Sequence, residues 1–109
     1  MVCHEEITGI LNDVVQKLVE GYAPQKVILF GSYARGEARE DSDIDLLIIK
    51  DTEKPPLERW QEVKRLLRDR SRLVSVSPLV YTSEEIARRL AIRDFFIEEV
   101  LEEGIVLYG

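Results

Sequence analysis

The first half of the chain contains one amphipathic stretch, which is followed by two apolar runs separated by a polar segment. Residues 4–20 carry apolar side chains at helical spacing, which predicts an amphipathic helix that ends near Gly21. The run 26–30 is short, continuous and rich in β-branched residues, so it predicts a buried strand. A polar segment, 33–41, predicts one helical turn followed by a loop. The next apolar run, 43–50, predicts the second strand.

The second half continues the alternation. Residues 57–67 place Trp60 among apolar residues at helical spacing, which predicts a second long helix with Trp60 in the core. Residues 73–81 predict a third strand, and Pro78 within it cannot donate a ladder hydrogen bond, which indicates a sheet edge or a bulge. The segment 82–85 is typical of a helix N-terminus. Two short helical segments and a final short strand follow.

These elements predict an α/β (α+β) fold, with a small mixed sheet and helices packed on one of its faces. The chain has 109 residues, enough for one core and too few for two, so residues 1–109 are predicted to be a single domain. Because strand side chains alternate, Asp43 and Asp45 are expected to project together from the face opposite to Ile44. That face is predicted to be open and to carry the chemistry.

The charge balance narrows the range of partners. A net charge of −6 argues against general nucleic-acid binding, which relies on lysine and arginine contacts with phosphates. One basic cluster departs from this balance and is interpreted either as a solvated helix face or as a docking surface. Its members are Arg59, Lys64, Arg65, Arg68, Arg70 and Arg72.

The cellular compartment is predicted from what the sequence lacks. The single cysteine, Cys3, cannot form an internal disulfide, so nothing indicates secretion. The N-terminal residues contain no basic region followed by an apolar stretch, and no apolar run approaches the length of a membrane span. A cytoplasmic protein without membrane contact is therefore expected.

Two short polar motifs lie at the ends of the first two predicted strands. Asp43 and Asp45 stand one residue apart, and paired carboxylates repel each other unless a cation lies between them. Hard oxygen ligands favour Mg²⁺ or Mn²⁺. The turn Gly31-Ser32 offers backbone N–H groups and a hydroxyl to a phosphate. Together the motifs indicate a nucleotide and phosphoryl chemistry.

Each motif alone has an ordinary structural explanation. Gly31 could simply supply the positive φ of a strand-to-helix turn, and the two aspartates could form a solvated strand end. A P-loop is excluded, because Glu37 and Ala38 stand where that motif requires lysine and then serine or threonine. The combination is more specific: Gly-Ser, ten residues and Asp-x-Asp, with each half attached to an apolar strand.

The stretches 31–36 (Gly-Ser-Tyr-Ala-Arg-Gly) and 41–46 (Asp-Ser-Asp-Ile-Asp-Leu) resemble the minimal nucleotidyltransferases of the DNA polymerase β superfamily. The resemblance extends over most of the chain and implies a polymerase-β-type nucleotidyltransferase fold with ATP as substrate. It implies Asp43 and Asp45 as catalytic residues that bind Mg²⁺ (or Mn²⁺). Nucleotide-binding residues would be Gly31, Ser32 and Arg35. Arg35 is equally well explained as the ion-pair partner of an acidic neighbour in its loop.

The resemblance also implies a partner. Such chains are often encoded beside a helical HEPN protein as a toxin–antitoxin pair, and in some pairs the nucleotidyltransferase is the antitoxin that adds AMP to its partner. A HEPN-type protein partner and a nucleoside triphosphate are therefore expected, and homo-oligomer formation stays open. The alternative is a catalytically weakened nucleotide-binding module that neutralises its partner by binding alone.

One departure from the family pattern motivates that alternative. Active members usually carry a third carboxylate on the next strand, which completes the metal site and helps to deprotonate the acceptor hydroxyl. Between Leu73 and Thr82 this chain has no Asp or Glu, and Ser77 stands at the expected position, with Ser75 on the same face. The missing group could come from a partner chain or from another carboxylate such as Asp51.

Overall fold

The computed structural model describes residues 4–72 and 74–109, so the predictions for Cys3 and Leu73 lie outside the described residues. Helices and strands follow in the predicted order: α1 His4–Gly21, β1 Lys26–Phe30, α2 Ser32–Arg35, β2 Ile44–Ile49, α3 Pro56–Leu66, β3 Val76–Tyr81, α4 Ser83–Ala91, α5 Phe95–Glu103 and β4 Ile105–Tyr108. The second strand begins one residue later than predicted, so Asp43 lies in the loop before it. Among the described helices, none is long and apolar enough to cross a membrane.

The described strands form one mixed sheet in the order β3-β2-β1-β4. β1 pairs antiparallel with β2 and with β4, whereas β2 and β3 are parallel. The predicted fold class and the mixed sheet are therefore confirmed. Pro78 lies in β3 at the edge of this sheet, as predicted, because an edge strand needs ladder hydrogen bonds on one side only.

Helices cover both faces of the sheet, and not one face as predicted. One core cluster packs Leu46 of the sheet against α1 and α3, and its members include the fully buried Val63 of α3. A second, smaller cluster packs Leu47 against α4 and α5, with Ile97 fully buried. The reason is visible in β2, where Leu46 and Leu47 face opposite sides and are both fully buried. A strand that is apolar on both faces needs cover on both. Only the polar end of this strand, at Asp45, interrupts the apolar run.

The buried face of helix α3 includes Val63, as the helical spacing predicted, but it passes through Arg59 instead of Trp60. Trp60 is 44% exposed, so its predicted place in the core is wrong, whereas Arg59 is only 6% exposed. Nε of Arg59 donates to the carbonyl oxygen of Lys54 (2.6 Å), and Nη1 donates to Oε1 of Glu85 (2.7 Å). Arg59 and the buried Val63 are one turn apart, so the packed stripe of α3 runs through them.

The basic cluster divides into structural and surface residues. Arg59 is buried, and the side chain of Arg72 is only 8% exposed. Nη1 of Arg72 donates to the carbonyl oxygen of Leu67 (2.6 Å), which ties the loop after α3 to that helix. A docking surface built on this cluster would therefore rest on its exposed members, Lys64, Arg65, Arg68 and Arg70.

Helix α4 begins with a reciprocal capping box, as the segment 82–85 predicted. The hydroxyl of Thr82 accepts a hydrogen bond from the N–H of Glu85 (3.1 Å), and Oε1 of Glu85 accepts one from the N–H of Thr82 (2.8 Å). The same carboxylate oxygen accepts from Arg59. Glu85 thus joins the start of α4 to α3 on the β3 side of the fold.

We predict that Glu85→Ala lowers the free energy of unfolding by about 2–4 kcal/mol, because it removes a helix cap and leaves the buried guanidinium of Arg59 without its partner. The neighbouring Glu84 is exposed, and Glu84→Ala should change that free energy by less than about 0.5 kcal/mol. Urea denaturation of both variants measures the difference. Similar small losses in the two variants would show that the contact between Arg59 and Glu85 contributes little.

Candidate active site

A row of side chains crosses the sheet at the end where β2 begins. Phe30 of β1 is the antiparallel partner of Asp45, and Ser77 of β3 is its parallel partner. Cα partners in neighbouring strands project to the same face, so Asp45 is flanked by an aromatic ring on one side and a hydroxyl on the other. The predicted position of Ser77 is confirmed for Asp45, its strand partner.

Gly31 makes the turn that leads from β1 over this row into α2. Its φ of 77° and ψ of −155° belong to a region that only glycine adopts without strain. A Cβ atom built on Gly31 would collide with Oδ2 of Asp45. The backbone of the predicted phosphate-binding turn therefore lies directly against the predicted metal ligand, with Ser32 as the first residue of the helix that follows.

Electrostatics disfavour the charged form of Asp45. Burial raises its pKa above the ordinary carboxyl value, the neighbouring charge of Asp43 raises it further, and the guanidinium of Arg35 opposes both effects. Two close carboxylates, one of them partly buried, are the environment in which a divalent cation is most favourable, because it removes their mutual repulsion. The donor set of Asp43 and Asp45 therefore fits Mg²⁺ or Mn²⁺.

Two side chains of α2 flank the carboxylates. Nε of Arg35 donates to Oε2 of Glu37 (3.2 Å), and both side chains are largely exposed. The loop ion pair expected as one explanation of Arg35 is present, and a role in nucleotide binding stays a prediction. Tyr33 packs against the core cluster that contains Val63, and burial together with the charge of Asp43 raises the pKa of its hydroxyl.

The fold does not bring a third carboxylate to the pair from Asp51. This residue follows the far end of β2, six positions beyond Asp45, which is about 20 Å along a strand. Its carboxylate accepts the N–H of Ser83 (2.8 Å) at the start of α4, and that hydrogen bond lowers its pKa. Among residues 4–72 and 74–109, no group of three or more His, Cys, Asp or Glu side chains could hold a metal ion.

A cavity of about 170 Å³ adjoins the Gly31 turn on the side of β1. Its walls come from the turn, from α2 and from one face of α5; the lining residues are Phe30, Gly31, Ala34, Arg35, Phe96, Glu99, Val100, Glu103 and Gly104. Sequence reasoning missed this cavity, because the spacing of apolar residues in α5 indicates a buried face without indicating which element it meets.

Comparison with known proteins identifies the family. The family model for the nucleotidyltransferase domain matches residues 9–107, which is nearly the whole chain and includes both polar motifs. The chain belongs to the nucleotidyltransferase domain family. The enzyme class predicted from the resemblance is confirmed. In this nucleotidyltransferase the Gly-Ser turn lies against Asp45 of the Asp-x-Asp pair.

Two similar proteins come from Thermococcus cleftensis and Methanocaldococcus jannaschii. The protein adenylyltransferase MntA of Thermococcus cleftensis is 46% identical over 48 residues, which is 44% of this chain and 48% of that protein. A candidate protein adenylyltransferase of Methanocaldococcus jannaschii is 37% identical over 103 residues, which is 93% of this chain and 87% of that protein. The chain thus spans about half of the first relative and most of the second.

A solved structure supports the fold. The crystal structure of a candidate nucleotidyltransferase from Sulfolobus solfataricus superimposes with a TM-score of 0.64 at 22% sequence identity, and the match covers 93% of this chain and 78% of that one. At this identity the likeness concerns the fold alone. It agrees with the mixed sheet and flanking helices described above.

We predict that Gly31→Ala lowers the free energy of unfolding by about 2–3 kcal/mol, because the substitution forces a strained φ and a collision with Asp45. Gly36 is the matched control. It also has a positive φ (71°), but a Cβ there would meet nothing within 4 Å, so Gly36→Ala should cost about 1 kcal/mol. Chemical denaturation of both variants measures the costs. Equal losses in the free energy of unfolding for the two variants would mean that the Gly31 backbone is not in close contact with Asp45.

We predict that Asp45→Asn stabilises the protein at pH 8 and leaves its stability unchanged at pH 3. The pKa of Asp45 is raised on folding, so the folded state loses stability as the carboxyl ionises, and an amide avoids that loss. Asp51→Asn is the control with the opposite sign, because hydrogen bonds lower the pKa of Asp51. Thermal unfolding at both pH values measures the effect. A lower midpoint for Asp45→Asn at pH 8 would contradict this account.

Proposed function

We propose that this nucleotidyltransferase transfers AMP from ATP, with Mg²⁺, to a hydroxyl side chain of a HEPN-type partner and thereby acts as its antitoxin. The observation that carries the proposal is the contact between the Gly31 turn and Asp45, beside the second carboxylate of Asp43. Such a turn suits phosphate, and paired carboxylates suit the cation that accompanies phosphate. The relatives named protein adenylyltransferase support a protein as the acceptor.

The proposed reaction forms one bond and breaks one. The oxygen of the acceptor hydroxyl bonds to the α-phosphorus of ATP, the bond from that phosphorus to the bridging oxygen breaks, and pyrophosphate leaves. Asp43 and Asp45 would hold Mg²⁺, which when bound neutralises charge on the phosphate oxygens. The N–H groups of the Gly31 turn and the hydroxyl of Ser32 orient the phosphates, and Arg35 adds positive charge beside them.

The proton of the acceptor hydroxyl needs a base. The position expected for a third carboxylate holds Ser77, whose hydroxyl is not a base near neutral pH, and Asp51 lies at the far end of the strand. β3 is an edge strand, so the Ser77 side of the row borders on space that another chain can fill. The proposal therefore assigns the missing carboxylate to the HEPN-type partner, which also provides the acceptor.

The second candidate function is a nucleotide-binding module that neutralises its partner by binding alone. The observation that favours it is the same serine: a site with two carboxylates can hold a nucleotide and a metal ion while the transfer step is slow. Transfer and occlusion differ in one measurable respect, because only transfer adds mass to the partner.

We predict that mixing the protein, its HEPN-type partner, ATP and Mg²⁺ adds AMP, about 329 Da by its chemical formula, to the partner, as intact-mass spectrometry would record. The variant Asp43→Asn/Asp45→Asn should lose transfer by at least about a thousandfold while still forming the complex. If it loses neutralisation as well, transfer is the mechanism. If it still neutralises the partner, binding alone suffices, and the part of the proposal that makes transfer the mechanism of neutralisation is wrong.

The variant Ser77→Asp tests the assignment of the third carboxylate. If the partner supplies that group, Ser77→Asp should leave the transfer rate within about threefold of wild type or slow it by adding a like charge to the site. An increase of tenfold or more would show that the serine limits the reaction and that the partner supplies no acid. Absence of transfer with every divalent metal and nucleotide would overturn the enzymatic proposal.

A further inference from the structure

The cavity that adjoins the Gly31 turn has no role in the proposed function as described so far. Its position suggests one, because the proposed phosphate-binding turn forms part of its wall. Gly31 and Arg35 form one end of it, and Phe30, the strand partner of Asp45, forms part of its floor. The cavity therefore lies on the β1 side of Asp45, whereas Ser77 and the proposed acceptor lie on the β3 side. A nucleotide whose phosphates lie on the turn can extend into this cavity without crossing the acceptor side.

The middle of the cavity is apolar and aromatic. Phe96 meets Phe30 edge to face, with ring centroids 5.6 Å apart and planes at 82°. Even with that contact, Phe96 remains 43% exposed, and it lines the cavity. Ala34 and Val100 complete this apolar wall. A flat ring with two apolar faces matches it, because aromatic side chains and nucleobases stack with little dependence on sequence.

The two ends of the cavity differ in charge. Arg35 stands at the α2 end, where the phosphates of the proposed substrate would lie. Glu99 and Glu103 stand on the α5 side, one turn apart on the helix face that carries Phe96. Within the described part of the chain, no hydrogen bond or ion pair occupies either glutamate carboxylate. Free carboxylates beside an apolar ring site are acceptors for the exocyclic amino group of a base.

We infer that this cavity is the nucleobase subsite of the nucleotidyltransferase, where the adenine ring of ATP packs against Phe96 and its 6-amino group donates to Glu99 or Glu103. The inference rests on the proposed function, since it takes a nucleoside triphosphate as the substrate. It adds a reason for selectivity: a 6-oxo base such as hypoxanthine presents a carbonyl oxygen to the carboxylates and is repelled.

Calorimetry with Mg²⁺ tests the subsite, with a non-hydrolysable ATP analogue and inorganic tripolyphosphate as the two ligands. Phe96→Ala should weaken binding of the analogue about tenfold or more and leave tripolyphosphate binding unchanged, which also shows that the variant is folded. Phe95→Ala is the matched control, because Phe95 is the preceding residue, is 78% exposed and does not line the cavity; it should change neither affinity.

A second variant tests the selectivity without altering the apolar wall. Wild type should bind the ATP analogue more tightly than the corresponding inosine analogue, and Glu99→Gln/Glu103→Gln should reduce that ratio at least about threefold, because an amide can donate to a 6-oxo group. An unchanged ratio, or equal weakening of both ligands in Phe96→Ala, would overturn the inference.

The outcomes separate the subsite from the proposed function. If wild type binds the ATP analogue no more tightly than tripolyphosphate but still transfers AMP, the subsite is wrong and the function stands. If the analogue binds through Phe96 and no transfer to any partner occurs, the subsite stands and the function is wrong. If wild type binds neither ligand, both are wrong.

Discussion

The contact between the backbone of Gly31 and the carboxylate of Asp45 is the constraint on which the site depends. The antiparallel register of β1 and β2 sets Phe30 opposite Asp45, so the chain that leaves β1 must turn over that carboxylate at the next residue. Only a residue without a Cβ fits there. The register of two central strands thus brings together the turn proposed to bind phosphate and the carboxylate proposed to bind the metal, without a long loop to position either.

The same arrangement costs stability, which the rest of the fold has to offset. Asp45 is partly buried beside Asp43, and its raised pKa is the sign that its charge is disfavoured in the folded protein. It is the one polar residue of β2, whose residues Ile44, Leu46, Leu47 and Ile48 are fully buried. Two core clusters, one on each face, hold that strand in place. A polar end whose charge is disfavoured, on a strand with two apolar faces, is the kind of local inconsistency that functional sites tolerate.

The sequence predicted the features that depend on the local pattern of residues. It did not predict the features that depend on which helices and strands pack against each other. The strands, the Gly-Ser turn, the aspartate pair and the edge position of Pro78 all follow from residues within one or two elements. The exposure of Trp60 and the burial of Arg59 do not, because helical spacing defines a stripe but not its neighbour. Arg59 is buried because Glu85, 26 residues further along the chain, lies against it.

The row from Phe30 through Asp45 to Ser77 also separates the proposed sites of the two substrates. The nucleotide is proposed to bind on the β1 side of Asp45, and the acceptor on the β3 side. On the β1 side, the row is continuous with α2, α5 and the cavity between them, where we propose that the nucleotide binds. On the β3 side, the row ends at the sheet edge with a hydroxyl where a carboxylate is expected. In the proposed site, the residues that would bind the nucleotide all belong to this chain, whereas the carboxylate expected on the acceptor side is missing. We therefore propose an acceptor that is itself a folded protein, because such a partner can bring its own side chains to this edge and complete the site.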